Sequence, residues 1–287
     1  MKKVIINADD FGLHPSVNAA VMEAYRNGCL RSTSFMSVGA AAEEAAELAR
    51  QERELGTGLH LTLVAERPVS PVDRVRSLVD ENGLFWSDYR VFISRWLRGL
   101  IRVEEVALEC EAQICRMEQL GLKISHLDSH QHLHVLPGII DICLAVMRSH
   151  GIRCMRRPAE GLFFRGSVPF SSFRFLSRGG LSLLAGWAGH RAAAQYVVMP
   201  NHFYGMIAGG QMNGKRLRKI LVNLPEGTSE VMLHPGTDRQ ALGKKYNWGY
   251  GWEPELQAMT DDETLKLMKF LKINTISYRE LQSVGSK

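Results

Sequence analysis

The sequence predicts an α/β fold, a distorted (β/α) barrel with mainly parallel strands. Short apolar runs alternate with longer segments of helical periodicity, which is the pattern of βα units wound into one sheet. Eight such runs have strand character, and eight is the number of strands in a closed barrel of this kind. They lie at 3–8, 33–39, 56–63, 123–129, 152–158, 195–200, 229–235 and 272–278.

Helical segments separate these strands in the order that a barrel needs. The first opens at Ser16, which could cap it, and closes at Gly28. The segment 103–121 repeats apolar residues at three- and four-residue steps, and 136–151 likewise ends at a glycine. A 45% hydrophobic fraction in 287 residues can fill a sizeable core, and no linker or repeat interrupts the chain. We therefore expect a single domain over residues 1–287.

Two segments break the alternation. Residues 89–102 predict a basic amphipathic helix, of the kind that lies on anionic lipid or on another protein. Residues 162–193 mix aromatics, arginines and glycines in an insertion that could cover an active site or touch a membrane. The alternative for both segments is that they pack on the domain and leave their arginines in solvent. The apolar stripe of the first consists of Phe92, Ile93, Trp96, Leu97, Leu100 and Ile101, and its arginines are Arg90, Arg95, Arg98 and Arg102.

Composition and charge narrow the class of protein. No apolar run approaches the ~18 residues that cross a bilayer, and Asp9 and Asp10 precede any apolar region of a signal peptide. Five cysteines, odd in number and without a Cys-x-x-Cys pair, predict buried thiols. The net charge of +5 is scattered and accompanies no nucleic-acid motif, so we expect no nucleic-acid partner. We expect a cytoplasmic protein. It could also contact the inner face of an anionic membrane peripherally, and it could form a homo-oligomer.

Two adjacent carboxylates follow the first strand. The stretch "VIINADDFG" places Asp9 and Asp10 where an apolar strand gives way to a glycine-containing loop. Neighbours in an extended chain point to opposite sides, so we expect the two to do different jobs. One could bind a metal while the other orients or deprotonates a water. The alternative is structural, because Asp-Asp pairs often begin a turn or cap the next helix.

The stretch "SHLDSHQHLHVLP" (125–137) alternates apolar residues with groups that bind a proton or a metal. Alternate residues of a strand share a face, and imidazoles with one carboxylate suit Zn²⁺ and comparable ions. A catalytic site uses about three protein ligands, so some of the five groups must orient the true ligands. A solvated sheet face, the alternative, predicts Lys, Glu, Thr and Ser instead. The five groups are His126, Asp128, His130, His132 and His134.

Two further histidines lie in or after apolar strands. His60 stands alone in "GTGLHLTL", where a histidine is more often a satisfied core residue than a ligand. His234 ends the apolar run of "EVMLHPG". That position suits a general acid, although a hydrogen-bonded structural histidine would look the same.

Four motifs in this order, "NADDFG", "GLHLTL", "HLDSHQHLH" and "EVMLHPG", resemble the YdjC-like carbohydrate deacetylase family, which includes the diacetylchitobiose deacetylases. They span residues 7–236. The stretches "RRPAEG", "LAGWAG", "NHFYGM" and "LPEGTSEVMLHP" are similar to the branch of hopanoid-biosynthesis-associated deacetylases. The resemblance implies a distorted (β/α) barrel, a divalent metal ion, and hydrolysis of an N-acetyl group on an amino sugar.

Residue by residue, the resemblance implies that Asp10, His60 and His130 are metal ligands, that Asp9 is the base and that His234 could serve as the acid. The ion would be Zn²⁺ or Mg²⁺, and mixed ligation of this kind also admits Mn²⁺, Ni²⁺ or Co²⁺. Relatives often have histidine where this chain has Gln131, which argues against a direct role for that position. The remaining polar residues would orient the ligands or bind substrate: Asp128, His132, His134, Arg156, Arg157 and Glu160. Guanidinium groups bind sugar hydroxyls or phosphates bidentately, and an ordinary surface ion pair is the alternative for the last three.

The predicted reaction is removal of an N-acetyl group from an amino sugar carried on a lipid. The lipid carrier rests on the segments 89–102 and 162–193 and on the branch resemblance. Soluble chito-oligosaccharides are an alternative substrate, and a formamide or a phosphate ester is an alternative bond. A catalytically idle glycan- or membrane-binding module is the third reading. The intact base, metal ligands and acid argue against it, because a binding module has no use for them together.

Overall fold

Six parallel strands, joined by helices, build the curled sheet on which the candidate site lies. The computed structural model describes residues 2–161 and 172–284. In this part of the chain the strand order is β4-β3-β2-β1-β6-β5, and a short β7 pairs in parallel with β1. The predicted distorted (β/α) barrel with mainly parallel strands is confirmed. The strands are β1 (Lys2–Phe11), β2 (Ser32–Phe35), β3 (Gly56–Leu61), β4 (Ile124–Ser129), β5 (His202–Tyr204), β6 (Gly227–Leu233) and β7 (Asn274–Thr275).

The helices cover this sheet, and the first begins one residue before the predicted cap. Pro15 opens it, in the position where proline is favoured, and the ring nitrogen of His14 accepts the backbone N–H of Ser16 at 3.1 Å. The cap is therefore His14. The helices of the described residues are α1 (Pro15–Asn27), α2 (Ala42–Gln51), α3 (Tyr89–Leu97), α4 (Val103–Gln119), α5 (Ile139–Ser149), α6 (Ser172–Ala193), α7 (Gly214–Val222), α8 (Arg239–Lys245), α9 (Trp252–Thr260), α10 (Asp262–Phe270) and α11 (Tyr278–Val284).

Isolated backbone bridges connect the two edge strands, β4 and β5, and we call this part of the barrel the seam. The bridges join Leu127 to Met155, Cys154 to Val198, and Glu160 to Phe203, all in parallel. The predicted strands 152–158 and 195–200 are thus reduced to single bridges. Pro158 and Pro200 end the two segments, and a proline has no N–H to extend a ladder. Chain pairing is therefore weaker at the seam than elsewhere in the sheet.

The predicted amphipathic segment forms α3, which packs only part of its apolar stripe on the domain. Phe92 is fully buried, and the Trp96 indole donates to a backbone carbonyl before α5 at 3.0 Å. Leu97 and Leu100 stay 79% and 41% exposed. The helix ends earlier than predicted, and Gly99 follows with a left-handed φ of 65°.

The aromatic and arginine-rich insertion begins with residues 162–171, which lie outside the described residues. The remainder forms α6, which buries Ala185 and Ala188 and leaves Leu183 and Trp187 75% and 40% exposed. Like α3, this helix packs one face and presents large apolar residues on another. Among the described residues, we find no helix with the length and apolarity to cross a membrane.

A histidine at the end of α5 ties that helix to α4. The two ring nitrogens of His150 lie 2.9 Å from carboxylate oxygens of Glu111 and Glu118. Cys115, on the same face of α4, is partly exposed, whereas the other four cysteines are buried as expected. The helix pair is thus joined by a charged contact that water can reach.

Candidate active site

Asp10 turns the end of β1, so that two adjacent carboxylates face one site. Its φ of 65° is left-handed, which is uncommon for a residue other than glycine, and the pairing of β1 with β2 shifts register there. The extended backbone from which the sequence analysis argued that neighbours point to opposite sides is therefore absent at Asp10. Both carboxylates lie near His60. A left-handed aspartate held in this way is typical of a functional position.

Asp10, His60 and His130 converge at the carboxyl ends of β1, β3 and β4. The Oδ1 atom of Asp10 lies 3.3 Å from His60 Nε2 and 3.1 Å from His130 Nδ1. The other oxygen, Oδ2, is buried and has no hydrogen-bond partner among the described residues. One carboxylate and two imidazoles form a donor set that fits a divalent ion, and the partnerless oxygen is the kind of donor that such an ion would satisfy.

Asp128 fixes the orientation of His60. Its Oδ1 atom lies 2.7 Å from His60 Nδ1, which directs Nε2 toward Asp10. Its Oδ2 atom accepts the Ser34 hydroxyl at 2.7 Å and lies 2.7 Å from the Arg156 guanidinium. Metal-binding histidines usually have such a carboxylate on their second ring nitrogen. Asp128 thus lies on the side of the His60 ring that faces away from Asp10.

Arg156 is fully buried, and carboxylates surround its guanidinium. It donates to both oxygens of Asp9, at 2.7 and 2.6 Å, and to Glu230 at 2.9 Å. The Tyr278 hydroxyl donates to the second oxygen of Glu230 at 2.6 Å. The suggestion that Arg156 binds sugar or phosphate oxygens conflicts with this arrangement, because its donors face carboxylates in the interior. Its position suits the alternative role, in which it orients site residues such as Asp9 and Asp128.

The electrostatics of the site favour a positive charge beside Asp10. Burial alone raises the pKa of Asp10, but the facing rings of His130 and His60 hold that pKa well below its usual range. Burial lowers the pKa of His60, whereas Asp128 and Asp10 act in the opposite direction and raise it to about 10. Among the described residues, the carboxylates of Asp9, Asp128 and Glu230 share the guanidinium of Arg156, and a divalent cation would add positive charge beside Asp10.

The alternation of the histidine-rich stretch ends with β4. A 3-10 helix (His130–Val135) follows, in which Gln131 and His132 have left-handed φ values of 56° and 58°. The side chains after His130 are therefore not on one strand face, as continued extension would require. His134 bonds to the Ser129 hydroxyl at 2.6 Å and to a backbone oxygen at 3.1 Å, so it holds the turn.

Two other histidines of the stretch are buried near the cluster but outside it. His126 is fully buried and stacks on Tyr278 with ring centroids 3.8 Å apart. Burial lowers its pKa to about 3, so it is a neutral core residue. Burial and the Arg156 charge also lower the pKa of His132, whose ring lies edge-on to Phe203 at 5.9 Å.

His234 follows β6 and lies at the same end of the barrel. Its Nδ1 atom is 3.8 Å from a carboxylate oxygen of Glu255, which also accepts the backbone N–H of His234. Burial lowers the pKa of His234, but Glu255 and then Asp10 outweigh it, and the net shift is upward. The structure thus adds Glu255, a residue of α9, which no sequence motif singled out.

Arg157 and Glu160 hold loops. Arg157 donates to the backbone carbonyl of Asn201, and Glu160 accepts the backbone N–H groups of Gly205 and Ile207 at 2.9 and 3.0 Å. These contacts fix the chain around β5. Neither residue has a contact with the Asp10, His60 and His130 cluster among those described here, so their predicted role in substrate binding stays a prediction.

Two aromatic residues beside the site were not predicted. The ring centroid of Trp248 lies 5.3 Å from that of His130, and that of Tyr250 lies 4.8 Å from that of His234. The sequence carries an indication of them, because "YNWGYGW" (246–252) places four aromatic residues at every second position. Only the tertiary structure connects them with the histidines.

The fold and the site together define a class of protein: a parallel α/β barrel with a buried carboxylate and imidazole cluster at the carboxyl ends of its strands. Barrels of this kind carry their active sites at that end. The chain belongs to the YdjC-like protein family, whose pattern matches residues 3–269. This family is the one that the four motifs resemble.

Relatives of similar length carry the name carbohydrate deacetylase. The chain is 30% identical to one from Thermoanaerobacter pseudethanolicus, over 98% of this chain and 100% of the relative. It is 32% identical to one from Vibrio cholerae serotype O1, over 98% and 97%, and 33% identical to one from Mus musculus, over 82% and 78%. A crystal structure from Enterococcus faecalis V583, named "putative cellobiose-phosphate cleavage protein", is 26% identical over 98% of both chains, with a TM-score of 0.76.

Proposed function

We propose that the protein is a metal-dependent hydrolase that removes an N-acetyl group from an amino sugar. The observation that carries the proposal is the convergence of Asp10, His60 and His130, with Asp9 and His234 beside them. Membership of the YdjC-like family and full-length similarity to carbohydrate deacetylases support the removal of an acetyl group from a carbohydrate.

Asp10, His60 and His130 would hold the ion, with Zn²⁺ or Mg²⁺ as the first candidates. Bound there, a divalent ion would supply Lewis-acid polarisation of the acetamide carbonyl and activation of a water. Asp128 keeps the Nε2 atom of His60 directed at the cluster through its 2.7 Å contact with Nδ1. This chain therefore provides three ligands and a residue that orients one of them.

In the proposed reaction, water adds to the amide carbonyl, the C–N bond breaks, and acetate and a free amine leave. Asp9 accepts the proton of the attacking water, and its bonds from Arg156 keep it in place beside His60. His234 gives a proton to the leaving nitrogen. Its raised pKa, caused by Glu255 and Asp10 against burial, increases the protonated share near neutral pH.

We further propose that the sugar is carried on a lipid and that the protein meets it at the inner face of a membrane. Exposed Leu97 and Leu100 lie beside exposed Arg98 and Arg102, a combination that suits anionic lipid. The branch resemblance of the sequence supports the same substrate class. Sedimentation with vesicles that contain phosphatidylglycerol tests this, using Leu97→Ser and, as an exposed apolar control on α10, Phe270→Ser.

We expect the wild-type protein and the Phe270→Ser control to sediment with the vesicles, and Leu97→Ser to sediment less. If the wild-type protein ignores the vesicles and processes soluble chito-oligosaccharides faster than a glycolipid, the lipid carrier is wrong and the deacetylase proposal stands. Soluble chito-oligosaccharides would then be the substrate class.

Metal analysis coupled to acetate release tests the central proposal. The wild-type protein, Asp10→Ala and the exposed control Asp73→Ala are each assayed for bound metal and for acetate released from diacetylchitobiose and from an N-acetylglucosaminyl lipid. We expect Asp10→Ala to lose both metal and turnover and Asp73→Ala to keep both. Retention of both by Asp10→Ala would remove Asp10 from the site. No acetate from either substrate, together with formate from an N-formyl analogue or phosphate from a phosphorylated sugar, would indicate hydrolysis of another bond.

A further inference from the structure

Four aromatic residues form a continuous wall in the loop between α8 and α9. We call residues 246–252 the aromatic loop. Successive rings are in contact, with centroids 4.8 Å apart for Tyr246 and Trp248, 5.5 Å for Trp248 and Tyr250, and 5.1 Å for Tyr250 and Trp252. Trp252 and Tyr246 are buried, whereas Trp248 and Tyr250 are only half-buried. The inner pair anchors the loop, and the outer pair retains ring surface that a ligand can contact.

The outer pair lies across the catalytic groups. Trp248 contacts His130, a proposed metal ligand, and Tyr250 contacts His234, the proposed acid, with centroids 5.3 and 4.8 Å apart. A substrate whose amide carbonyl lies at the cluster and whose amide nitrogen faces His234 therefore has these two rings beside it. Neither ring is needed for metal binding or proton transfer in the proposed reaction.

The position of Tyr250 is fixed by a glycine that has no room for a side chain. A Cβ atom on Gly210 would lie 2.1 Å from the Tyr250 ring, and the φ of Gly210 is 71°. The backbone N–H of Gly251 donates to the Gly210 carbonyl at 2.7 Å. Two loops are thus joined where the Tyr250 ring packs against the backbone at Gly210, and this packing helps to position the ring beside His234.

We infer that Trp248 and Tyr250 form a subsite for a pyranose ring, on which the substrate sugar stacks while its acetamido group reaches the Asp10, His60 and His130 cluster. The inference rests on the proposed function. A pyranose presents C–H groups on its faces and hydroxyls around its edge, so one face is apolar and matches an aromatic ring. Binding sites for small molecules combine such rings with a few placed polar groups, and the histidine cluster provides the latter.

Support of His130 is the alternative role of Trp248, and it makes a different prediction. If the indole only holds the imidazole in place, its removal weakens metal binding and turnover together. If it binds the sugar, its removal weakens sugar affinity and leaves the metal content unchanged. A phenylalanine restores a stacking surface but not the size of the indole, so it should recover most of the affinity.

The test measures the Kd of chitobiose, the KM for diacetylchitobiose in acetate release, and the metal content. The variants are Trp248→Ala, Trp248→Phe, Tyr250→Ala and the exposed aromatic control Phe270→Ala. We expect either alanine variant in the wall to raise Kd and KM by about tenfold or more at full metal content, whereas Trp248→Phe raises them less and Phe270→Ala leaves them unchanged.

Two results would overturn the subsite: unchanged Kd and KM in both alanine variants, or losses of affinity that follow losses of metal. Because chitobiose binding needs no turnover, the two proposals fail separately. If the wild-type protein releases no acetate while Trp248→Ala binds chitobiose more weakly than the wild type does, the deacetylase proposal is wrong and the subsite stands. If the wild-type protein releases acetate and the alanine variants keep the same Kd and KM, the subsite is wrong and the deacetylase proposal stands.

Discussion

Replacing Arg156 tests the ionic arrangement behind the site most directly. Its buried guanidinium lies 2.6–2.9 Å from the carboxylates of Asp9, Asp128 and Glu230. Arg156→Met keeps a long side chain but removes the cation that all three share. Breaking a buried ion pair costs about 3–5 kcal/mol, because the partner charge stays in the interior. We expect a loss of about 4 kcal/mol or more in the free energy of unfolding, a large part of the typical ~5–15 kcal/mol.

The loss should depend on pH in a defined direction. Burial raises the pKa of Glu230 to about 7 although Arg156 opposes that shift, so the pKa rises further in Arg156→Met. Because the pKa is raised, the protonated Glu230 carboxyl stabilises the folded state. This contribution is complete below about pH 4.3, the pKa of a glutamate in the unfolded chain, and disappears as the pH rises through the pKa in the folded protein. Arg156 and His60 lower the pKa of Asp128 against burial, which adds stability above its unfolded value, and the variant loses much of it. The Glu230 effect makes the deficit larger at pH 8 than at pH 6, whereas the Asp128 effect contributes equally at both pH values because both lie above its unfolded pKa.

Urea unfolding followed by circular dichroism measures this deficit, with a chelator present so that metal binding does not contribute. Arg156→Lys is the matched control, because it keeps the charge while it loses the bidentate contact with Asp9. It should lose less stability than Arg156→Met. A deficit below about 1 kcal/mol, or one that is equal at pH 6 and pH 8, would show that the surrounding carboxylates do not depend on this cation.

Three further changes test other contacts. Asp128→Asn removes the carboxylate that orients His60 and should weaken metal affinity about 10–100-fold, measured by competition with a chromophoric chelator. Gly210→Ala would place a methyl group against the Tyr250 ring at a left-handed φ, so we expect a loss of about 1–3 kcal/mol in urea unfolding. The two glutamates beside His150 raise its pKa against burial, and their contact stabilises the fold below about pH 6.5 and fades as the pH rises through the raised value. His150→Gln should therefore cost up to about 1 kcal/mol at pH 6 and less at pH 9.

The sequence was sufficient to predict the barrel and, through the family resemblance, the meeting of Asp10, His60 and His130 in it. Apolar runs alternate with helical segments, and the carboxyl ends of parallel strands share one edge of a sheet. Asp10, His60 and His130 follow that rule, so their convergence could be expected from three distant motifs. His234, at the end of β6, lies at the same edge for the same reason.

The remainder depends on contacts between segments that the sequence separates. Arginine is rarely fully buried, so a surface or substrate role was the reasonable expectation for Arg156 until its three carboxylate partners were in place. The left-handed backbone at Asp10 and Gln131 breaks the two-residue period on which the strand argument relied. Trp248 and Glu255 come from the last third of the chain, and only the fold brings them to the histidines.

The position of Arg156 at the seam limits which substitutions the surrounding residues can accept. In the described part of the chain the backbone is joined there by single bridges, and the Arg156 side chain connects that segment to β1, β4 and β6. A replacement at Asp9, Asp128 or Glu230 alters the charge balance of the other two. Substitutions at these positions should therefore be strongly epistatic: a change tolerated in one background is harmful in another, and drift here has to proceed by coordinated steps.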